Sequence, residues 1–309
     1  MLTAEKILEA AAQLEDSRDS SRRTAASNEG LGLYRCWRPQ EVRDVVLPEA
    51  SALLVLRGRK QLATPSHTWL AGAGELLLVP AETTFWLGNY PDDSGRSYRG
   101  VAVRFSTEVI ELFRQLYGPE LDPDGHRDRW HARAPEEFLD ALEQWLSWCH
   151  RQVPDALLAR HRRVELLLLL ARAGLAGNLL LSHHPSWGRR VRELLLLDPA
   201  HPWRMEEMGG RLGVSESTLR RHLQDEGQGF RSLLEEVRLA HGLTLVQESG
   251  WPIGRIADAV GYRSQSRFSE RFKRRYGLTP RDLRHTQDPE RPIAPPKAKV
   301  GESSEMSAD

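Results

Sequence analysis

A stretch near the C-terminus, residues 263–284, has the side-chain chemistry of a surface that binds a polyanion. It carries eight cations and two anions, for a net charge of +6, whereas the 309-residue chain has a net charge of zero. A compact positive surface in a neutral protein is typical of an element that contacts phosphate groups. A solvated helix face rich in arginine has the same composition, so both interpretations stay open at this point. The cations are Arg263, Arg267, Arg271, Lys273, Arg274, Arg275, Arg281 and Arg284.

The sequence shows no comparable pattern for catalysis or metal binding. No glycine-rich phosphate loop, nucleophile elbow or pair of catalytic carboxylates stands out. The strand-rich region holds one histidine, His67, with no second ligand at strand spacing. We expect Cys36 and Cys149 to be buried apolar residues, with redox sensing as the alternative. The sequence therefore predicts a protein that is not an enzyme and uses no metal or other cofactor.

Two segments of the same design position the cations. Each has a short helical pattern, a glycine, an apolar or aromatic residue, a serine and a second helical pattern, and the glycines Gly213 and Gly261 are 48 residues apart. Glycine suits the turn because it adopts positive φ without strain, and Ser215 and Ser264 can cap the following helices. One such helix-turn-helix pattern is a weak signal, but two are a strong one. The second helices carry apolar pairs four residues apart, Leu219 with Leu223 and Phe268 with Phe272.

A helix-length apolar pattern, residues 230–248, joins the two units. Its periodicity predicts one helix that packs against both units and fixes their separation. Ala240 and Gly242 indicate close helix contacts there, although glycine costs about 1 kcal/mol of helix propensity. Two recognition helices that enter successive major grooves must lie about 34 Å apart. A rigid connection of this kind is therefore what reading two grooves requires.

The first 182 residues have a different organisation. An amphipathic pattern at the start predicts a short helix, which a flexible connector follows up to residue 28. Many short strands at close spacing then favour a small β-barrel or sandwich. The predicted strands are Leu31–Cys36, Ala52–Leu56, Lys60–Ala63, Trp69–Leu70, Glu75–Val79, Phe85–Gly88 and Arg99–Phe105. The predicted helices are Ser106–Tyr117, Pro135–His150 and Asp155–Leu181, and the last, rich in leucine, suits either a core or a dimer surface.

These patterns predict an α+β chain of two domains, with a linker at 183–186. No signal peptide or membrane-spanning run is evident, so we expect a cytoplasmic protein without a membrane partner. The predicted divisions are 1–28 (helix and connector), 29–182 (first domain), 187–286 (helical domain) and 287–309 (disordered tail).

The segment 261–284 resembles the signature of the AraC/XylS regulators of transcription. The resemblance extends over about 191–284, through Gly213-Val214-Ser215 with Leu219, Gly229-Phe230, Pro252-Ile253 and Ile256-Ala257. The chain departs from the family pattern at Gly209-Gly210, Leu223 and His241-Gly242, where alanine or a larger apolar residue is more usual.

The resemblance implies a sequence-specific DNA-binding protein, most simply an activator, that contacts double-stranded DNA and RNA polymerase. It assigns base contacts to the outward faces of the two second helices, Ser217, Thr218, Arg220 and Arg221 in the first and Gln265, Ser266, Arg267, Glu270 and Arg271 in the second. Arginine can bind guanine, glutamine adenine, and glutamate cytosine. Four further cations are interpreted as phosphate contacts, which position the protein without specifying sequence. These are Arg263, Lys273, Arg274 and Arg275.

The first domain resembles, more loosely, the cupin-like sensor domain of one branch of the family. The matching stretches are 32–35, 53–60, 70–80 and 101–105. The resemblance implies a small barrel that senses an effector and forms a homodimer. Six side chains could line a pocket for an anionic aromatic or fatty effector, and ordinary packing explains them equally well. They are Arg57, Trp69, Phe85, Trp86, Tyr98 and Arg104. A module that binds no ligand and only dimerises or meets a partner protein is the alternative.

Overall fold

A computed structural model describes residues 2–15, 20–118, 129–180 and 186–288. It confirms the α+β class, with an N-terminal unit of antiparallel sheets and flanking helices and a C-terminal helical unit. Residues 183–185 of the predicted linker lie outside the described residues. The same holds for 289–309 of the predicted disordered tail.

Within the described residues the chain forms nine strands in two antiparallel sheets. The five-stranded sheet has the order β1-β8-β3-β6-β9, and the four-stranded sheet has the order β2-β7-β4-β5. The bounds are β1 Leu31–Cys36, β2 Gln40–Val46, β3 Ala50–Arg57, β4 Arg59–Ala63, β5 Thr68–Ala71, β6 Glu75–Val79, β7 Thr84–Tyr90, β8 Tyr98–Phe105 and β9 His131–Arg133.

The sheets form an open sandwich, which corrects the expectation of a closed cupin-like barrel. In the described part of the chain, no strand pairing connects the edges of the two sheets. The five-stranded sheet is buried on both faces. Because successive side chains along a strand point to opposite faces, each strand contributes to two cores. Leu54 and Val103 pack against helices, whereas Leu53 and Ala102 face the four-stranded sheet.

Two strands were not predicted, and both lack a regular apolar alternation. In β2 the buried residues Val42 and Val45 are three positions apart, because a bulge with Asp44 at φ 48° interrupts the pairing with β7. A bulge shifts the side chains by one residue and so hides the period of two. Strand β9 has only three residues.

The N-terminal helices cover the outer face of the five-stranded sheet. They are α1 Leu2–Glu15, α2 Ser20–Asn28, α3 Thr107–Tyr117, α4 Glu136–Arg151 and α5 Ala156–Arg172. Helix α2 corrects the expectation of a flexible connector at these positions. The leucine-rich segment is mainly core, since Leu166 and Leu170 are buried, but Leu157 is 66% exposed near the start of α5. Helix α5 ends earlier than predicted, because Gly174 turns the chain with φ 69°.

The C-terminal unit consists of seven helices among the described residues. They are α6 Trp187–Leu197, α7 Met205–Arg211, α8 Glu216–Asp225, α9 Phe230–Glu248, α10 Ile253–Ala259, α11 Gln265–Tyr276 and α12 Pro280–His285. Helix α9 packs against both helix-turn-helix units, as predicted. Leu233 and Val237 in its first half join the core of α7 and α8, and Leu243 and Val246 in its second half join the core of α10 and α11.

Two glycines at which the sequence departs from the family pattern have a packing role. A Cβ on Gly242 would lie 2.7 Å from the ring of Phe268, and a Cβ on Gly209 would lie 2.7 Å from the carbonyl oxygen of Val214. Both distances are too short for a side chain. The glycines therefore allow close packing within each unit.

No helix of the described residues is long and apolar enough to cross a membrane.

Candidate nucleic-acid interface and interdomain cavity

The second helix of each unit begins in the predicted way. Gly213 and Gly261 adopt φ 74° and 78°. The hydroxyl of Ser215 then accepts a hydrogen bond from the backbone N–H of Thr218, and that of Ser264 accepts one from Arg267. Because these serines satisfy N–H groups that have no partner within the helix, each recognition helix has a defined first turn.

The predicted base-contacting residues of α8 lie on its outer face. Ser217, Arg220 and Arg221 are exposed and Thr218 is half-buried. The guanidinium of Arg220 forms a close ion pair with Glu216, one turn earlier in the helix. The structure therefore brings all four residues together on one polar face, with one arginine held by an intrahelical carboxylate.

Helix α11 presents a second polar face of the same kind. Gln265, Ser266, Arg267 and Glu270 are exposed. The fifth predicted residue, Arg271, is half-buried, and its Nη1 lies 3.5 Å from Oε1 of Glu235 on α9.

The predicted phosphate-contacting residues divide into two pairs. Arg263 and Lys273 are exposed and form none of the ion pairs found among the described residues. Arg274 lies 3.2 Å from Glu235, and Arg275 lies 3.7 Å from Glu236. These two acids of α9 therefore offset part of the positive charge of α11.

A shallow cavity between α9 and α11 adds a residue that the sequence analysis missed. It has a volume of about 280 Å³, and its lining includes the exposed Arg231 as well as Arg263 and Arg267. Arg231 belongs to the connecting helix, where the pattern predicted only packing. Its outward position in the helical period was the available signal.

Arg238 of α9 fixes the two units relative to each other. Its guanidinium donates to the carbonyl oxygens of Pro199 at 2.9 Å and His201 at 3.0 Å, before the first unit, and of Gly261 at 3.1 Å, in the turn of the second. Burial lowers the pKa of this group from its ordinary value. One side chain thus ties both units to the same point of α9.

The six candidate effector-pocket residues are not brought together. Arg57 donates to the carbonyl oxygen of Ser97 at 2.8 Å, Trp69 stacks on another tryptophan, and Trp86 is 46% exposed. The other three are Phe85, buried in the core between the sheets, Tyr98, also buried there, and Arg104, which alone of the six lines the cavity described next.

A cavity of about 360 Å³ lies between the two sheets and α9. Its wall is mainly apolar and comes from both domains. The apolar lining includes Val42, Val45, Leu47, Leu53, Leu87, Ala102, Ala240, Leu243, Leu245 and Trp251. Any molecule that filled it would therefore contact the sandwich and the C-terminal helical unit together.

Lys60 is a buried basic residue in the wall of this cavity. It is 4% exposed, and its Nζ donates to Oδ1 of Asn89 at 2.7 Å. Within the described part of the chain its amine has no carboxylate partner, and burial lowers its pKa to about 7. The sequence analysis missed Lys60, although it shares a face of β4 with the buried Leu62, and this alternation was the available signal.

A buried ionic network closes one side of the cavity. Nη1 of Arg104 on β8 lies 3.3 Å from Oε1 of Glu248 on α9, and the Tyr34 hydroxyl donates to the same oxygen at 3.0 Å. The hydroxyl of Ser27 also donates to Glu248, in a close contact. Burial opposes the charged form of Arg104, but the carboxylates of Glu248 and Glu49 outweigh it and raise its pKa. The network therefore docks α9 on the sandwich.

Comparison with known proteins bears on both domains. Residues 27–176 match the model of the AraC-type transcriptional regulator N-terminus. Residues 208–286 match the model of a helix-turn-helix domain. The chain belongs to the AraC family of transcription regulators. The AraC family consists of regulators and not of enzymes, in agreement with the prediction from the sequence.

Two relatives extend the likeness beyond one domain. The AraC-family chain is 28% identical over 182 residues to the urease operon transcriptional activator of Escherichia coli, a stretch that covers 57% of the chain and 62% of that relative. It is 32% identical over 201 residues to a putative AraC-like transcription regulator of Streptomyces antibioticus, which covers 60% and 62%. The chain thus spans less than two thirds of the length of these relatives.

The solved structures of ToxT from Vibrio cholerae have the same two-domain fold. The apo form of a ToxT variant superimposes with a TM-score of 0.61 at 14% identity, covering 84% of this AraC-family chain and 97% of ToxT. Unsaturated-fatty-acid-bound wild-type ToxT superimposes with a TM-score of 0.60 at 14% identity, covering 83% and 94%. ToxT has also been solved bound to (E)-4-(8-methylnaphthalen-1-yl)but-3-enoic acid, and that structure superimposes with a TM-score of 0.60 at 13% identity, covering 84% and 98%.

Proposed function

We propose that this AraC-family protein binds duplex DNA sequence-specifically, with α8 and α11 in successive major grooves on one face of the duplex. The observation that carries the proposal is the attachment of two capped helices with exposed polar faces to one helix, α9. Arg238 keeps their separation constant, as two grooves about 34 Å apart require.

In this proposal the outward residues of both helices contact bases, and the flanking cations contact phosphates. Arg220 and Arg271 exchange their intramolecular carboxylate partners for DNA acceptors when the protein binds. Arg231 joins Arg263, Lys273, Arg274 and Arg275 as a phosphate contact, because it lines the arginine-rich cavity between α9 and α11. Phosphate contacts of this kind supply affinity that falls with salt concentration.

The proposal is tested by selecting bound sequences from a random duplex pool with the full chain. We expect enrichment of a site with two fixed patches about 10 base pairs apart, one for each unit. A single patch would mean that one unit does not read bases. No enrichment would overturn the assignment of sequence-specific DNA binding.

The division between base and phosphate contacts has its own test on the selected site. We expect Arg267→Ala to weaken binding by about 1–3 kcal/mol and to relax specificity at one base pair. Lys273→Ala should weaken binding to all sequences alike and reduce the salt slope by about 1. Identical behaviour of the two variants would contradict the division of roles.

The cavity supports a second proposal, that an acidic apolar small molecule controls the protein. A buried amine without a carboxylate partner, inside an apolar wall, suits a ligand with one anionic head group and a hydrocarbon or aromatic body. The acids bound to ToxT have this chemistry. Because both domains line the cavity, the ligand would favour one domain arrangement and shift the DNA-competent population.

Thermal unfolding of the full chain with oleate tests this proposal, with oleyl alcohol as the matched uncharged probe. A ligand at about 100 times its Kd stabilises the native state by about 2.7 kcal/mol. We expect oleate to raise the melting temperature of the wild type but not of Lys60→Met, and oleyl alcohol to have a smaller effect on both. No shift with oleate would overturn the proposed ligand class and favour a module that only dimerises or meets a partner protein.

The homodimer, the contact with RNA polymerase and the activating role are also parts of the proposal. The exposed leucines near the start of α5, Leu157 and Leu158, offer an apolar surface for a second copy. The name of the Escherichia coli relative supports an activating role. The domain limits 29–182 and 187–286 belong to the proposal too, and limited proteolysis checks them.

A further inference from the structure

A continuous chain of hydrogen bonds connects the cavity to the DNA-binding unit through the interior of the sandwich. Nζ of Lys60 donates to Oδ1 of Asn89 at 2.7 Å, and Nδ2 of Asn89 donates to Oε1 of Gln40 at 3.0 Å. Nε2 of Gln40 then donates to Oγ1 of Thr286 at 2.6 Å. The three side chains from the sandwich are 4%, 1% and 3% exposed. Four groups thus join β4, β7, β2 and the end of α12.

The chemistry of the four groups gives the chain one direction. In its ammonium form Lys60 only donates, so in that form it holds the amide oxygen of Asn89 toward itself and the amide nitrogen of Asn89 toward Gln40. The same reasoning directs the amide nitrogen of Gln40 to Thr286, whose hydroxyl donates onward to the carbonyl oxygen of Leu283 at 2.6 Å. Reversing any one amide would place two donors against each other. The orientation of the Gln40 amide that bonds Thr286 therefore depends on whether Lys60 donates to Asn89.

Such groups are costly to bury unless each of them is bonded. An unpaired buried amide destabilises a protein by about 1–3 kcal/mol, and an apolar pair of the same shape would avoid that cost. Two amides at these positions contribute less to stability than an apolar core would, and what they add is a connection between domains. This points to coupling and not to packing as their role.

The far end of the chain is the place where the sandwich holds α12. Besides the bond from Gln40, the backbone N–H of Trp37 donates to the carbonyl oxygen of Thr286 at 2.7 Å. Leu283 is fully buried beside the aromatic residues of α11. Arg284 donates in a close contact to the carbonyl oxygen of Trp251, which lines the cavity. A change at Thr286 thus reaches the helix that supports the second reading helix.

We propose that Gln40 is a coupling residue, which transmits the occupation of Lys60 to α12 and so to the second helix-turn-helix unit. The inference rests on the proposed function in one respect, namely that the ligand's acidic group binds Lys60. A carboxylate draws the amine away from Asn89, and the amide of Asn89 then loses the partner that fixes its orientation. The bonds from Asn89 to Gln40 and from Gln40 to Thr286 weaken in turn, and α12 is held less firmly.

Hydrogen–deuterium exchange of the full chain tests the coupling without any ligand. We expect Lys60→Met to raise the exchange rate of the amides of residues 281–288 by about threefold or more, since the docked end of α12 opens more often. Gln40→Leu should raise it to a similar extent. In the double variant, Lys60→Met should add nothing to Gln40→Leu, because the chain is already broken.

Two further variants make the test specific. Asn89→Asp keeps an acceptor for Lys60 but cannot donate to Gln40, so it should also raise exchange in α12 while Lys60 stays paired. Gln61→Leu, next to Lys60 on the outer side of β4, is the matched control and should leave α12 unchanged. If either Lys60→Met or Asn89→Asp fails to fold, the other variant decides the test, because each breaks the chain at a different bond. Unchanged exchange in α12 for the folded variants of Lys60 and Asn89 would overturn the proposal.

Oleate separates a failure of the coupling from a failure of the ligand class. In the wild type we expect oleate to raise both the melting temperature and exchange in α12. In Gln40→Leu it should still raise the melting temperature but no longer change exchange in α12. A wild type that oleate stabilises without any change in α12 would contradict the coupling. A wild type that ignores oleate would contradict only the ligand class, and the ligand-free comparison would still decide the coupling.

Discussion

The two helix-turn-helix units have one design but differ in what lies behind them. The first has a separate core, in which Leu219 and Leu223 pack with residues of α6, α7 and the first half of α9. In the second, Phe268 and Phe272 belong to a hydrophobic cluster that continues into the space between the two sheets. The second unit is thus an extension of the sandwich core, whereas the first is a small core of its own.

The contacts to the sandwich follow the same division. The first unit reaches the N-terminal domain through α6, where Arg192 lies 3.3 Å from Glu82 and Arg189 forms a close hydrogen bond with Thr107. Polar contacts at a surface can exchange with water at little cost, whereas a shared core cannot. A change inside the sandwich is therefore felt first by the second unit.

The largest expected effect comes from truncating one aromatic anchor. Phe272→Ala should lower the free energy of unfolding by about 3–5 kcal/mol and Leu223→Ala by about 2–5 kcal/mol. Because the second core continues into the sandwich, we expect Phe272→Ala to raise hydrogen exchange in β2 as well as in α11. The effect of Leu223→Ala should stay within α6–α8. Equal loss of protection in β2 for both variants would remove the distinction between the units.

The next effect is a dependence of stability on pH, which arises from Lys60 in the sandwich. The pKa of Lys60 is about 7 in the folded state, because burial disfavours its charge, and about 10.4 in an unfolded chain. Between these values the unfolded state binds a proton that the folded state does not, so stability rises with pH. Cys36, Tyr34 and Tyr98 surround the amine, and burial raises the pKa of each.

The Lys60→Met variant, which has no titrating amine, tests this pH dependence of stability. The stability of this variant relative to the wild type should be greatest below about pH 7 and should fall by a few kcal/mol as pH rises toward 10. Urea unfolding at several pH values measures it. A constant difference between the two proteins would mean that Lys60 carries its proton throughout that range.

A smaller effect is expected at the helix caps. Ser215→Ala and Ser264→Ala each remove one capping hydrogen bond, which contributes about 1 kcal/mol. The second unit is held by the sandwich, so the first turn of α11 should remain better protected than that of α8. Exchange rates of the amides of residues 216–218 and 265–267 measure this. Stronger fraying in α11 would reverse the proposed order of rigidity.

The smallest effect concerns charge at the second unit. Glu235→Gln removes the carboxylate that pairs with Arg271 and Arg274 and should raise affinity for any duplex by about 0.5 kcal/mol at low salt. Glu165→Gln, on α5 of the other domain, is the matched control. Binding titrations at two salt concentrations measure the difference, and weaker binding of Glu235→Gln would show that its pairing positions the arginines.

The sequence was sufficient for features that depend on local chemistry. A glycine turn followed by a capping serine has few alternative structures, so the roles of Gly261 in the turn and of Ser264 as the helix cap could be predicted from the sequence alone. The connecting helix was predictable because its apolar period serves two cores. Single strands with a short continuous apolar run, such as Glu75–Val79, were predictable because such a run is typical of a strand buried on both faces.

Features that depend on contacts between distant segments were not predictable in this way. The aromatic residues chosen for the pocket, such as Trp69 and Trp86, lie apart because the pairing order of the strands decides which faces meet. Gln40 and Lys60 are polar residues whose partners lie in distant segments of the chain. The packing of one sheet on the other buries both, with the end of α12 against Gln40 and α9 across the cavity from Lys60.

Helix α9 has a consequence for how target sites can evolve under the proposed mode of binding. Its 19 residues carry both reading units on one rigid rod, and adding one residue would turn the second unit by about 100° about the axis and move it by about 1.5 Å. The protein therefore cannot follow a promoter in which one base pair is inserted between the two patches, since that insertion rotates one patch around the duplex. Promoters should gain or lose this regulator through base substitutions within a patch, while the number of base pairs between patches stays constant.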